Sequence, residues 1–131
     1  MVNNKQRIIS TLTLLILDFL WIGLFMGSQY SVLVKNIQGS NMKTNIIYAF
    51  FAYLLMVIGL NNFVLPKLDT KNINIKSCLS SGFLFGIIVY GVYDFTCAAV
   101  LKDWDIKLAL IDILWGGIVY FMACFSVKLI K

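Results

Sequence analysis

Three aspartates stand where an acid is costly. Asp18, Asp94 and Asp112 each lie inside a long apolar run, and no Lys, Arg or His accompanies them there. An aspartate at the centre of a membrane helix costs about 2.5–3.5 kcal/mol on insertion scales. Three of them impose a burden that the folded state must offset. Ion pairing within the runs is excluded by composition, which leaves three solutions. The carboxyls carry a proton, they accept hydrogen bonds from Tyr, Thr or Trp, or they hold a cation or a small polar ligand. The candidate ligand- or ion-binding set is therefore Asp18, Asp94 and Asp112, with Trp21, Trp115, Tyr90, Tyr93 and Thr96 as neighbours. The bland alternative is that the acids are protonated or hydrogen-bonded helix glue.

The surroundings of two of these acids repeat. Leu17-Asp18-Phe19-Leu20-Trp21-Ile22-Gly23 and Ile111-Asp112-Ile113-Leu114-Trp115-Gly116-Gly117 both contain D-x-x-W-x-G. Asp and Trp three residues apart share one helix face, so an indole N–H can approach a carboxyl on a facing helix. In spans of opposite direction, such a match is the pattern an inverted duplication leaves. The third acid lies on an i+4 ridge of Gly82, Gly86, Tyr90, Asp94 and Ala98. Gly82 and Gly86 permit close helix approach, and Gly116 and Gly117 offer the same on the last run. Trp104 and Tyr30 near run ends read as interfacial anchors, as do Asn61 and Asn62. Cys78, Cys97 and Cys124 have no C-x-x-C spacing and read as small apolar helix residues rather than metal ligands. No metal site and no cofactor is evident.

The elements that must position these groups are four apolar runs, Ile8–Met26, Ile46–Leu65, Cys78–Leu101 and Leu108–Ser126. Each has about 20 residues, the length a helix needs to cross roughly 30 Å of hydrocarbon. Backbone polar groups in lipid must be satisfied internally, so the runs are helices. Composition agrees: 60% of the 131 residues are hydrophobic and 13% charged, against about 25% charged in soluble domains. Lipid must cover most of that apolar surface. The net charge of +5 is spread between the runs, which argues against a nucleic-acid surface. The expected fold is all-α, an integral membrane four-helix bundle forming one domain over residues 1–131. The first run reads as a retained span rather than a secretory signal. Gly27–Asn45 reads as a long polar connector, Pro66–Ser77 as a second, and Lys102–Lys107 as a tight hairpin.

Lys5, Arg7, Lys67, Lys71, Lys76, Lys128 and Lys131 fall on one side of this topology, and Lys35, Lys43, Lys102 and Lys107 on the other. The larger group marks the cytoplasmic side, so both termini are expected there. Asp94 then lies eight residues before Lys102, Asp112 five after Lys107 and Asp18 ten before Ser28. These are helix distances of roughly 12, 8 and 15 Å from the same, outer side, so one polar cluster can form in the outer half of the membrane.

The stretch Tyr90-Gly91-Val92-Tyr93-Asp94-Phe95-Thr96 is followed by Leu101-Lys102-Asp103-Trp104 and Asp112-Ile113-Leu114-Trp115-Gly116. Together with Asp18-Phe19-Leu20-Trp21-Ile22-Gly23, Tyr30, Tyr48, Tyr53 and Pro66, it resembles the bacterial membrane protein family of domain of unknown function 2177. The resemblance covers nearly the whole chain. It implies four spans and a similar size, and it supplies no activity and no catalytic residue. The family pattern carries Asn after Y-D-x-T. Cys97 stands there in this chain, which alters any site that the Asn serves.

Three function classes fit these features. The first is a small transporter or channel-like protein whose aspartates bind protons, a cation or a small polar ligand. The second is a membrane enzyme acting on a lipid or isoprenoid; without His or an Arg cluster, phosphoryl chemistry is disfavoured. The third is a structural or assembly protein with the aspartates as packing glue. Partners are the lipid bilayer and, since four short helices enclose little volume, a possible second copy of the chain. Reporters fused to either terminus are expected to read as cytoplasmic; a terminus that labels from outside would overturn the orientation.

Overall fold

Four side chains start four helices. The computed structural model describes residues 1–130, and each long helix in it opens on an Asn or Asp that accepts from the first free N–H groups. Asn3 and Gln6 cap reciprocally ahead of α1, Asn4–Gln38. Asn45 accepts from Ile47 and Tyr48 ahead of α2, Ile46–Lys67. Asn74 and Ser77 form a second reciprocal pair ahead of α3, Ile75–Val100. Asp105 accepts from Lys107 and Leu108 ahead of α4, Ile106–Leu129. Such caps are each worth about 1 kcal/mol and define where each helix begins.

The polar stretch after the first apolar run is not the loop expected from its composition. It continues as helix to Gln38 and stops at Gly39, which takes a left-handed φ of 75°. No proline interrupts Gly27–Gln38, and Tyr30, Leu33 and Ile37 form an apolar face that packs against Trp104 and Ala109. Tertiary packing thus extends a helix whose own polarity argued for a connector. At 35 residues, α1 is about 52 Å long, well beyond the roughly 30 Å of hydrocarbon. A π-turn at Ile22–Met26 adds a residue to one turn and re-phases the helix just past Trp21. Further π-turns lie at Leu60–Val64 in α2 and Leu79–Phe83 in α3.

The fourth helix is the hub. Half of its most apolar window is buried, against 17% or less in the other three. It packs along both α1 and α3, and its buried residues include Ala109, Gly116, Gly117, Val119, Tyr120, Ala123 and Cys124. The approach of α3 is very close. A Cβ on Gly86 would strike the Gly116 carbonyl, and one on Gly82 would lie 2.7 Å from the Tyr120 carbonyl oxygen. On α4, a Cβ on Gly116 would enter the Tyr90 ring, and one on Gly117 would reach Phe83 at 2.6 Å. Helix α2 is peripheral, tied on by Tyr120 Oη donating to the Met56 carbonyl (3.0 Å) and by Asn61. Asn61 is more than an interfacial residue: it donates to Thr11 Oγ1 (3.1 Å), and its carbonyl accepts from Arg7 Nη1 (2.9 Å). Asn62 stays exposed.

Both termini and the α2–α3 connector share one end. Gln6 Nε2 donates to the Ile130 carbonyl (3.0 Å), and the amino terminus reaches Thr70 Oγ1 (3.3 Å). Large apolar side chains such as Leu24, Phe50, Leu55, Val92 and Leu110 are exposed around the outside. In a bilayer, lipid covers them. The protein is an all-α integral membrane bundle of four helices.

Replacing Gly86 by Ala is expected to destabilise the bundle by about 1–3 kcal/mol, because backbone rather than a mobile side chain must move. Gly23, which has open space beside it, is expected to accept Ala neutrally or with a gain of up to about 1 kcal/mol. Reversible unfolding in mixed micelles measures both.

Candidate functional site

Asp18 on α1 draws a donor from each of the other helices. Tyr90 Oη on α3 donates to Oδ1 at 2.6 Å, and Trp115 Nε1 on α4 donates to the same oxygen at 3.1 Å. Tyr53 Oη on α2 donates to Oδ2 at 2.8 Å. The residue is 4% exposed. The D-x-x-W-x-G spacing explains half of this arrangement. Asp and Trp sit one turn apart on the facing sides of two antiparallel helices, so each motif can serve the other. While Trp115 donates to Asp18, Trp21 Nε1 donates to Asp112 Oδ1 at 3.2 Å. The two indoles stack between the acids with centroids 4.7 Å apart and planes within 8°. Residue i meeting j while j meets i is the signature of a local two-fold relation.

The third acid is furnished differently. Asp94 lies one turn beyond Tyr90 on α3 and is fully buried. Its Oδ1 accepts from Tyr30 Oη at 3.0 Å, and its Oδ2 has no hydrogen-bond partner among the described residues. Asp112, also buried, lies one turn before Gly116 on α4, and Gly116 packs against Tyr90, one turn before Asp94 on α3. Trp104, from the α3–α4 connector, stacks on Tyr30 with centroids 5.6 Å apart.

The acids therefore form a ladder along one side of α4. Asp18 stands at the deep end, held by three donors. Asp112 and Asp94 follow together toward the α3–α4 connector, each six residues from the end of its helix there. Among the described residues, no three acids, cysteines or histidines converge tightly enough to hold a metal ion. Every donor to the ladder is a phenol or an indole.

Asp18, Asp94, Asp112, Trp21, Trp115 and Tyr90 meet in this ladder. Tyr93 and Thr96 do not. Tyr93 is half exposed and sets its ring edge-on to Trp104 at 6.5 Å. Thr96 lies on the outer face of α3 beside Val92 and Phe95. Tyr93 lies one residue before Asp94 and Thr96 two after it, offsets of about 100° and 200° around a helix, so helical geometry turns both off the face that carries Tyr90 and Asp94. Two groups are missing from the sequence-derived set. Tyr53 is one of several polar residues on α2, with nothing local to single it out. Tyr30 is read as a membrane anchor when Gly27–Asn45 is taken for a loop; continuous helix carries it inward onto Asp94. Trp104, read from the sequence as an interfacial anchor, is only 8% exposed and packs on Tyr30.

The family model described as "Predicted membrane protein (DUF2177)" matches residues 5–128. The chain belongs to this family. No curated protein and no solved structure matches it. In this DUF2177 member the matched region contains the whole ladder, and all four helices contribute to it.

Tyr90→Phe is expected to cost about 0.6 kcal/mol and at most about 1.7 kcal/mol, the average and the maximum measured for hydrogen bonds inside membranes. Tyr93→Phe should change stability by less than about 0.5 kcal/mol. Unfolding of the two variants side by side separates the buried phenol from the exposed one.

Proposed function

We propose that this protein binds and exchanges a proton at the facing carboxyls of Asp94 and Asp112, as a small proton-coupled carrier or channel-like membrane protein. The observation that carries the reading is the supply of donors. Asp94 and Asp112 each lie one helical turn from the Tyr90–Gly116 contact, toward the same connector, which places the two carboxyls to face each other, and one oxygen of Asp94 receives nothing from the described protein groups. Two ionised carboxyls this close repel each other in a medium that screens poorly. A single shared proton removes the repulsion and makes one acid a donor to the other. A divalent ion fits less well, because only two carboxyls converge and hard cations take six or more oxygen ligands. The position also suits exchange: Asp94 lies within about 12 Å of Lys102 along the helix.

Infrared difference spectroscopy in lipid nanodiscs tests the reading. A protonated carboxyl band is expected in the wild type, to change with pH, and to be lost or displaced in both Asp94→Asn and Asp112→Asn. Proton flux into proteoliposomes is expected to be abolished in the same variants while their unfolding remains cooperative. A band that ignores pH across the accessible range, or flux preserved in both variants, would overturn the proposal.

A structural role for Asp18 has its own observation, the three donors from three helices. On this second reading Asp18→Asn assembles normally and Asp18→Leu does not, as judged by gel filtration in detergent. Equal tolerance of both removes that role.

A further inference from the structure

Two buried polar atoms at the connector end of the ladder are without partners among the described residues: Asp94 Oδ2 and Trp104 Nε1. Asp94 is 0% and Trp104 8% exposed. A buried polar atom left unpaired is costly, and ordered water or a ligand commonly serves such groups. Their chemistry is opposite, since an indole N–H only donates and a carboxyl oxygen accepts. Both belong to one small neighbourhood. Tyr30 holds Asp94 through its hydroxyl and lies against Trp104 with its ring. Leu33, Ala98, Leu108 and Ala109 belong to the apolar cluster that holds Trp104 and Tyr30.

We propose that Asp94, Tyr30 and Trp104 form a binding site for one O–H group, which accepts from Trp104 Nε1 and donates to Asp94 Oδ2. The pairing selects the ligand class. A metal cation or an ammonium cannot accept from the indole. A carboxylate or phosphate oxygen cannot donate to the acid and is repelled by it. Water and the hydroxyl of a small alcohol do both. Asp94 Oδ2 has two lone-pair positions, so the site is compatible with a proton shared with Asp112. It goes beyond the proton-binding reading and stands without it. If that reading also holds, the ligand links the acid pair to the α3–α4 connector.

The test uses the full chain in lipid nanodiscs with its three tryptophans labelled at the indole nitrogen. Single Trp→Phe variants assign the three signals. Trp104 is expected to show a direct magnetisation-transfer peak to water and faster deuterium exchange than Trp21 and Trp115, whose N–H groups are held by acids. Asp94→Asn should move the Trp104 signal more than the Trp115 signal. Tyr30→Phe, which keeps the ring, serves the same purpose if that variant does not fold. Ethylene glycol then separates the sources. A glycol-induced shift that removes the water peak assigns the site to a hydroxyl-bearing solute. A water peak indifferent to glycol assigns it to water. A Trp104 signal with neither a water peak nor a glycol shift overturns the proposal, as does a water peak shared equally by all three indoles. None of these readouts requires Asp94 to titrate, so a silent carboxyl band would sink the proton reading alone.

Discussion

The Asp18 carboxyl is the one group on which all four helices converge. A phenol from α2, a phenol from α3 and an indole from α4 end on two oxygens of α1. In a bilayer, lipid tails are as apolar as the helix surfaces, so burial of leucines does little to hold helices together. Directional bonds to a buried acid supply what apolar packing cannot. The acid that is costly to insert becomes the point that specifies which faces meet. This matters most for α2, whose other side chains lie largely exposed and which has few further ties to the bundle.

Close backbone approach makes the convergence possible. Glycines at 82 and 86 on α3 and at 116 and 117 on α4 bring those helices near enough that any added Cβ would meet backbone or ring atoms. The Tyr90 ring occupies the space left by Gly116, and from there its hydroxyl reaches across to α1. The stacked Trp21 and Trp115 rings fill the gap between α1 and α4 while each donates to the other helix's acid. Packing and hydrogen bonding are thus one arrangement, repeated about a local two-fold between antiparallel helices.

The three acids are not equivalent. Asp18 has donors on both oxygens. Asp112 has one indole donor, and Asp94 one phenol donor and one oxygen without any. A saturated acid is suited to fixing register. An unsaturated facing pair is suited to taking up and releasing something small. The ladder therefore grades from a donor-rich end at Asp18 to a donor-poor end beside the α3–α4 connector, where Tyr30 donates to Asp94 and stacks on Trp104.

Much of this was written in the chain itself. Four apolar runs of membrane length are local features, because helix formation in lipid depends on nearby residues alone. The three acids announced themselves by their cost, and the D-x-x-W-x-G repeat by its spacing. The glycine ridge on α3 was legible because it recurs at one helical period. Tertiary structure alone decided which partners each acid takes. Tyr53 became a ligand of Asp18 because α2 docks there, while Tyr93 and Thr96, close to Asp94 in sequence, turn outward. It also decided that Gly27–Gln38 is helix, since Tyr30, Leu33 and Ile37 gain their stability only against Trp104 and Ala109. Local sequence set the elements and their cost; contacts between residues distant along the chain set how that cost is met.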